Sequence, residues 1–398
     1  MSSPTSQFTS TDFFSSALNP LPCPVTGKLL GFAIYCGIVP AFLMARPILS
    51  FIVFLIFVTA SYASDWVLYS VGGRDYISMK NVAEFYNLDK FRREGNEVLL
   101  SSTTRSLRGY QGSAEFFINN LKFILSYPVI EHNGQLCISR MDLVKLVEPV
   151  MRPSRIKNST PIDTVVLDAG HGGHDGGATS IYGNEKNYTL DTVLRAKDLL
   201  QRAGYKVVLT RSSDEFIPLD DRAAIASRHK SAIFISVHFN HGGMGTGVEA
   251  YTLAPRGVPS MMADGPTVSD FVDCPGNARD QENMALATAS HAALVMKTRM
   301  PDRGLKRARF VVIRDITIPG VLIEGGFLSN PYDAKMIATT LYRQTLANAI
   351  LQAVENYRKA VGTQSAPIAD TKKPPAKTTP TKAPSKPAPI DPPGEETN

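Results

Sequence analysis

The sequence predicts an α/β protein, with a mostly parallel sheet covered by helices on both sides and a small α+β module in front of it. Three observations predict this. From residue 162 onward, strand-like and helix-like segments alternate, which is the pattern of crossover units feeding one sheet. Most strand candidates are near-continuous apolar runs, as strands buried on both faces must be. Polar residues stand at or just beyond the ends of three of those runs, where open α/β sheets bind ligands.

Two apolar runs, 29–44 and 48–59, lie near the start of the chain. From Met44 the chain reads Met-Ala-Arg-Pro, an apolar stretch over 48–58, then Ser61-Tyr62-Ala63. A charged start, a leader-length apolar core and a small-x-small end describe a signal peptide over 44–63, with Met44 as the start and 1–43 as an upstream extension. The alternative is a membrane tether broken at Arg46-Pro47, although the second run is short for a spanning helix. On either reading, the rest of the chain is exported to the periplasm or cell envelope.

Residues 65–150 form the small module. Strands are expected at 67–71, 98–100 and 137–139, helices at 79–86 and 140–150, and a hairpin turn at Asn133-Gly134. The order of these elements resembles the copper-amine-oxidase N-terminal-like modules of exported bacterial proteins, which implies a binding or spacer role without copper. A basic linker covers 151–161. The second unit follows over 162–360, with strands at 164–168, 206–210, 232–238, 248–253, 310–314 and 320–324, and helices at 188–203, 282–300 and 333–357. Gly204 closes the first of these helices. From about 361 to 398 the chain is Pro, Lys, Thr and Ala with almost no large apolar residues, so it is expected to be a disordered tail.

The 398 residues are 43% hydrophobic, enough for more than one packed core. A net charge of +6 suits an anionic partner. Nucleic acid is not the expected one, because much of the lysine lies in the tail and no basic helix with interleaved aromatics is present. The four cysteines contain no Cys-x-x-Cys pair and are poor metal ligands; Cys137 and Cys274 read as free thiols.

Four short stretches carry the chemistry: Asp168-Ala169-Gly170-His171-Gly172-Gly173, Gly183-Asn184-Glu185-Lys186, Ser236-Val237-His238-Phe239-Asn240 and Glu324-Gly325-Gly326-Phe327. The Gly-rich loop after 164–168 fits neither the Walker pattern nor Gly-x-Gly-x-x-Gly, so a phosphate cradle is not expected. His171 and His238 each follow a β-branched apolar run. Glu185 opens a helix, and Glu324 ends an apolar run where a carboxylate is costly unless paired or working. Two imidazoles and a carboxylate form a catalytic zinc set with one position open for water, and a second carboxylate beside it supplies a base. His174 is the local rival of His171. Asn240 and His241 follow His238 and are candidates for substrate contact.

These stretches resemble those of the zinc-dependent N-acetylmuramoyl-L-alanine amidases, cell-wall hydrolases with a single α/β catalytic domain. Thr210-Arg211-Ser212-Ser213-Asp214, Leu219-Asp220-Asp221-Arg222, Asp302-Arg303-Gly304-Leu305-Lys306 and Glu324-Gly325-Gly326-Phe327-Leu328-Ser329-Asn330-Pro331 extend the resemblance across residues 162–357. It implies that His171, Glu185 and His238 ligate Zn2+, that Glu324 is catalytic, and that peptidoglycan is the substrate. Arg303 is a candidate for a substrate carboxylate. Two departures stand out: His241 replaces a usually small residue, and 255–281 is a long Gly/Pro-containing segment, expected to face substrate or to regulate. Residues 65–150 or the tail are candidates for holding an activator protein or a wall polymer. A zinc peptidase cutting the stem peptide and a non-catalytic wall-binding protein are the competing functions.

Overall fold

The computed structural model describes residues 66–157, 159, 161–261 and 266–362. The readings at 1–43 and 44–63 and nearly all of the tail fall outside these residues. Among the described residues, no helix is long and apolar enough to cross a membrane.

The first unit runs β1 (Leu68–Val71), β2 (Arg74–Ser78), α1 (Met79–Tyr86), β3 (Lys90–Glu94), β4 (Glu97–Ser101), β5 (Ser106–Tyr110), β6 (Glu115–Ile118), β7 (Leu121–Ile124), β8 (Ile130–His132) and β9 (Gln135–Ser139). Helix α1 starts where the Ser78 hydroxyl accepts the Asn81 amide, and it stops at left-handed Asn87. The β8–β9 hairpin closes across Asn133 and Gly134, both at positive φ (50° and 74°). That turn explains why the Asn-Gly pair was legible.

The second unit runs β10 (Thr164–Ala169), β11 (Thr179–Ser180), β12 (Gly183–Asn184), α2 (Glu185–Arg202), β13 (Lys206–Leu209), α3 (Leu219–Ser227), β14 (Ala232–Asn240), β15 (Val248–Leu253), α4 (Asp280–Thr298), β16 (Asp302–Ala308), α5 (Val311–Arg314), β17 (Gly320–Phe327), α6 (Pro331–Ile337) and α7 (Thr340–Val361). Alternate residues of its strands serve two cores. Val165, Leu167, Ile233, Ile235, Val321 and Ile323 share one core with residues of α2, α4 and α7. Val166, Phe234 and Leu322 pack with Ala223 and Ala226 of α3 and Val312 and Ile313 of α5. Helices therefore cover both faces.

The expectation of a mostly parallel sheet needs correction, because the sheet is mixed. Its order is β13-β10-β14-β17-β15-β16-β7-β6-β5-β4-β3. β15 runs antiparallel to β17, and β7 through β3 form an antiparallel meander. The meander belongs to the first unit and joins the second through β16 and β7, so one sheet crosses both. Two other elements differ. The strand expected at 310–314 is helix α5, and the strand at that place in the order is β16. A short apolar run does not distinguish strand from buried helix, and the charges of β16 (Asp302, Arg303, Lys306, Arg307) hid its strand character. The helix expected at 333–357 is two helices, the second capped by the Thr339 hydroxyl accepting the Tyr342 amide.

A buried ion pair ties the two units. Arg307 on β16 donates to Asp142 at 2.9 Å, and both side chains are almost fully buried. Asp142 also accepts from the Ser126 and Tyr127 amides and the Ser139 hydroxyl. Breaking one partner of such a pair leaves a buried charge alone. Asp142→Ala is therefore expected to cost about 3–5 kcal/mol, measured by denaturant unfolding; a loss below about 1 kcal/mol, the scale of an exposed pair, would refute the pairing as a structural joint.

Candidate metal centre

β10, β14 and β17 are parallel neighbours, so their carboxyl ends meet at one edge. The chain leaves β10 through Gly170 and His171, the latter in the left-handed region at φ 62°. At Gly170 a Cβ would lie 2.4 Å from the His238 ring, so only glycine lets this loop pass against that imidazole. Glu185 is the first residue of α2, where the helix dipole favours a carboxylate. It is 3% exposed and accepts the Ala178 amide at 2.8 Å and the Phe239 amide at 3.0 Å.

These elements bring His171, Glu185 and His238 together. One ligand atom from each lies within 4.8 Å of the others. His171 Nε2 is 3.1 Å from Glu185 Oε2, and His238 Nδ1 is 3.0 Å from Glu185 Oε1. Two imidazoles and a carboxylate in that space suit a tetrahedral ion with bonds of about 2.0–2.2 Å. Asp175, fixed by the Gly177 amide, holds His171 Nδ1 at 2.8 Å and so leaves Nε2 to face inward. Burial opposes ionisation of Glu185, but its hydrogen bonds with the two imidazoles outweigh that and hold its carboxyl far below the usual range. Burial likewise disfavours charged His171, yet Glu185 and then Asp175 raise its pKa.

Two buried arginines hold the loop from behind. Arg211 donates to the carbonyls of Ala169, Gly170 and Lys186. Arg222 donates to the carbonyls of Ala169 and His171 and to Asp168 at 2.8 Å. Burial alone would raise the Asp168 carboxyl, but Arg222 and the Ser236 and Thr210 hydroxyls outweigh it and hold it below the usual range. A depressed carboxyl adds stability above its unfolded pKa of about 3.9, and that stability is lost as pH falls through the folded value. The stability gap between wild type and Asp168→Asn is therefore expected to narrow as pH drops below about 4. Acid unfolding curves check this; a gap independent of pH would contradict it.

Register places a second carboxylate beside the first cluster. Glu324 pairs with His238 across β14–β17 and with Glu249 across β15–β17, so the three side chains stand on one face of adjacent strands. The register shift between His238 and Asn240 lies beside this row. Burial first, then the negative charges of Glu185 and Glu249, push the Glu324 carboxyl well above the usual range, with Lys306 pulling against them. Glu324 Oε2 is buried with no hydrogen-bond partner among the described residues, as expected of a carboxyl kept for another group.

Glu249 is the residue sequence reasoning missed. It is 1% exposed and accepts from Asn240 Nδ2 (2.6 Å), Tyr251 (2.7 Å), Lys306 Nζ (2.5 Å) and Arg303 Nε (3.3 Å). Asn240 and Arg303, both expected to meet substrate, thus converge on this carboxylate. The signal was present, since a Glu inside apolar Val248–Leu253 carries the same penalty that singled out Glu324. Asp175 was also missed, because a polar residue in a Gly-rich loop looks like ordinary turn chemistry.

Other expectations resolve away from the cluster. His174 stacks on Phe216 at 4.3 Å. Cys137 and Cys274 are free. The long segment starting at 255 leaves the end of β15, and β15 is antiparallel to β17, so its described residues, 255–261 and 266–281, lie at the edge of the sheet opposite Glu324. Arg309 pins them there through the carbonyls of Pro255 and Asp270 and the Asp270 carboxylate, away from the cluster. A cleft of about 560 Å3 lies on that far side, lined by Arg74, Tyr127, Arg140, Lys145, Gly257 and Phe271 among others.

Residues 165–356 match the family profile described as N-acetylmuramoyl-L-alanine amidase. A probable cell wall amidase LytH of Staphylococcus epidermidis is 36% identical over 197 residues, covering 49% of this chain and 58% of that protein. The N-acetylmuramoyl-L-alanine amidase AmiA of Escherichia coli is 31% identical over 245 residues, covering 55% of this chain and 84% of that protein. A solved N-acetylmuramoyl-L-alanine amidase from Clostridium difficile 630 is 29% identical, with a TM-score of 0.41 over 51% of this chain and 100% of that one. The chain spans little more than half the length of the staphylococcal relative.

Proposed function

The chain belongs to the N-acetylmuramoyl-L-alanine amidase family, and on that premise we propose that it hydrolyses the amide between N-acetylmuramic acid and L-alanine in peptidoglycan, with zinc held by His171, Glu185 and His238. The observation that carries this reading is the cluster of three ligand atoms within 4.8 Å beside a buried carboxyl oxygen that has no partner among the described residues. Bound zinc lowers the pKa of a water toward about 7 and polarises the scissile carbonyl. The chain's own residues do the rest. Glu185 offers its charge already oriented by two backbone amides, and Asp175 fixes the His171 tautomer. Glu324 takes the proton of the attacking water and returns it to the departing amine of L-alanine. Glu249 and its donors form the wall beyond Glu324.

Substrate and relatives together support an exported enzyme of the cell envelope, acting in wall remodelling or daughter-cell separation. The test is digestion of purified peptidoglycan by the zinc-loaded protein, with and without chelator, followed by mass analysis of the released ends. The expected product is a stem peptide with a new L-alanine amine, absent under chelator. Cleavage within the stem would instead identify a zinc peptidase, and a purified protein without zinc or activity would identify a wall-binding protein.

A further inference from the structure

Arg303 lies where β16 meets the exposed end of the Glu324 row. Its Nε donates to Glu249 at 3.3 Å, and its guanidinium carbon sits 4.8 Å from the centre of the Phe327 ring. Glu249 at the edge and Phe327 at the face hold the guanidinium in place. Among the described residues neither Nη donates a hydrogen bond, and the side chain is 39% exposed, so four N–H donors remain for a ligand. Lys306, the other cation on Glu249, is the more buried of the two, at 17%, which leaves Arg303 as the cation open to a ligand. Strand spacing of about 4.8 Å puts β16 two strands, roughly 10 Å, from Glu324, and Arg303 leans back toward β17 through Phe327. An extended peptide covers about 3.3–3.6 Å per residue, so a group on the second residue beyond the scissile amide comes within reach of a side chain reaching inward.

We propose that Arg303, positioned by Glu249 and Phe327, is a subsite for a carboxylate on the peptide side of the scissile amide, within two residues of it. This rests on the amidase reading and deepens it to substrate class. Arg303 touches the substrate; Glu249 acts through Arg303 as a positioning residue.

The experiment compares two synthetic muramoyl peptides with the zinc-loaded full chain. They differ only at the second residue, a γ-linked glutamate whose α-carboxyl is free in one and amidated in the other. Wild type is expected to favour the free carboxylate in kcat/KM on the order of 10- to 100-fold, mostly through KM. Arg303→Gln should bring that ratio close to one. Arg303→Lys, which keeps charge but loses the fork, and Glu249→Gln, which keeps the guanidinium but weakens its anchor, should each give an intermediate ratio. A wild-type ratio near one, or a preference that survives Arg303→Gln, overturns the subsite while leaving the amidase reading standing. Failure of wild type to cut either peptide overturns the amidase reading, and the subsite with it.

Discussion

Glu324→Ala is expected to keep one zinc per chain, lose about 10^2- to 10^4-fold in kcat, and unfold no more easily than wild type. The three outcomes come from one arrangement. Glu324 is not among the three residues whose ligand atoms cluster, so its loss leaves the ion's site whole. It is the carboxyl next in register to His238, so its loss removes the group that moves the proton. Its carboxyl is buried near Glu185 and Glu249 with one oxygen unpartnered, so the folded state gains nothing from it in the metal-free protein. Residues that strain a site for function are those whose removal often stabilises. Zinc content, single-turnover rate and thermal midpoint measured on one preparation check all three. A variant that loses zinc together with activity would show that Glu324 is a ligand and not the base.

His238→Ala is expected to abolish both zinc binding and activity. The loss should exceed the roughly 10–100-fold drop in affinity that follows removal of an outer partner, the effect expected for Asp175→Ala. His171→Ala should behave as His238→Ala does, with one addition. His171 sits at φ 62°, which costs an alanine about 1–2 kcal/mol, so its fold must be checked separately. His238 lies within β14 and is not among the residues at positive φ, so it avoids that complication. Competition against a chromophoric chelator ranks the three variants. Equal zinc affinity in His238→Ala and Asp175→Ala would contradict the division into ligand and support.

Three of the four proposed site residues were legible because each breaks a local rule. His238 and Glu324 are polar residues in runs that are otherwise buried, and His171 stands among glycines directly after such a run. Glu185 was legible only through its company, because a carboxylate at a helix start is ordinary. Glu249 obeys the same rule as Glu324 but sits in a strand whose antiparallel pairing to β17 has no local signature. That pairing alone puts the two carboxylates side by side. The join between the two units was equally hidden. It rests on Arg307 meeting Asp142 and on Leu305 pairing with Phe123, contacts between residues more than 160 positions apart. Strand polarity and long-range pairing are set by tertiary packing; the apolar runs located β10, β13, β14, β15 and β17 but neither β16 nor β7, the two strands whose pairing carries one sheet through both units. The buried arginines Arg211 and Arg222 fit this account. Along the chain they look like surface charge, and in the fold they satisfy the carbonyls of the loop that presents His171.

The most direct test is a crystal of the zinc-loaded chain measured with X-rays on either side of the zinc absorption edge. One anomalous peak bonded to His171, Glu185 and His238, with Glu324 nearby and unbonded to it, is the predicted result. A stoichiometric zinc ion whose peak lies on other residues, or a chain that cuts peptidoglycan with no peak between these three, would contradict it.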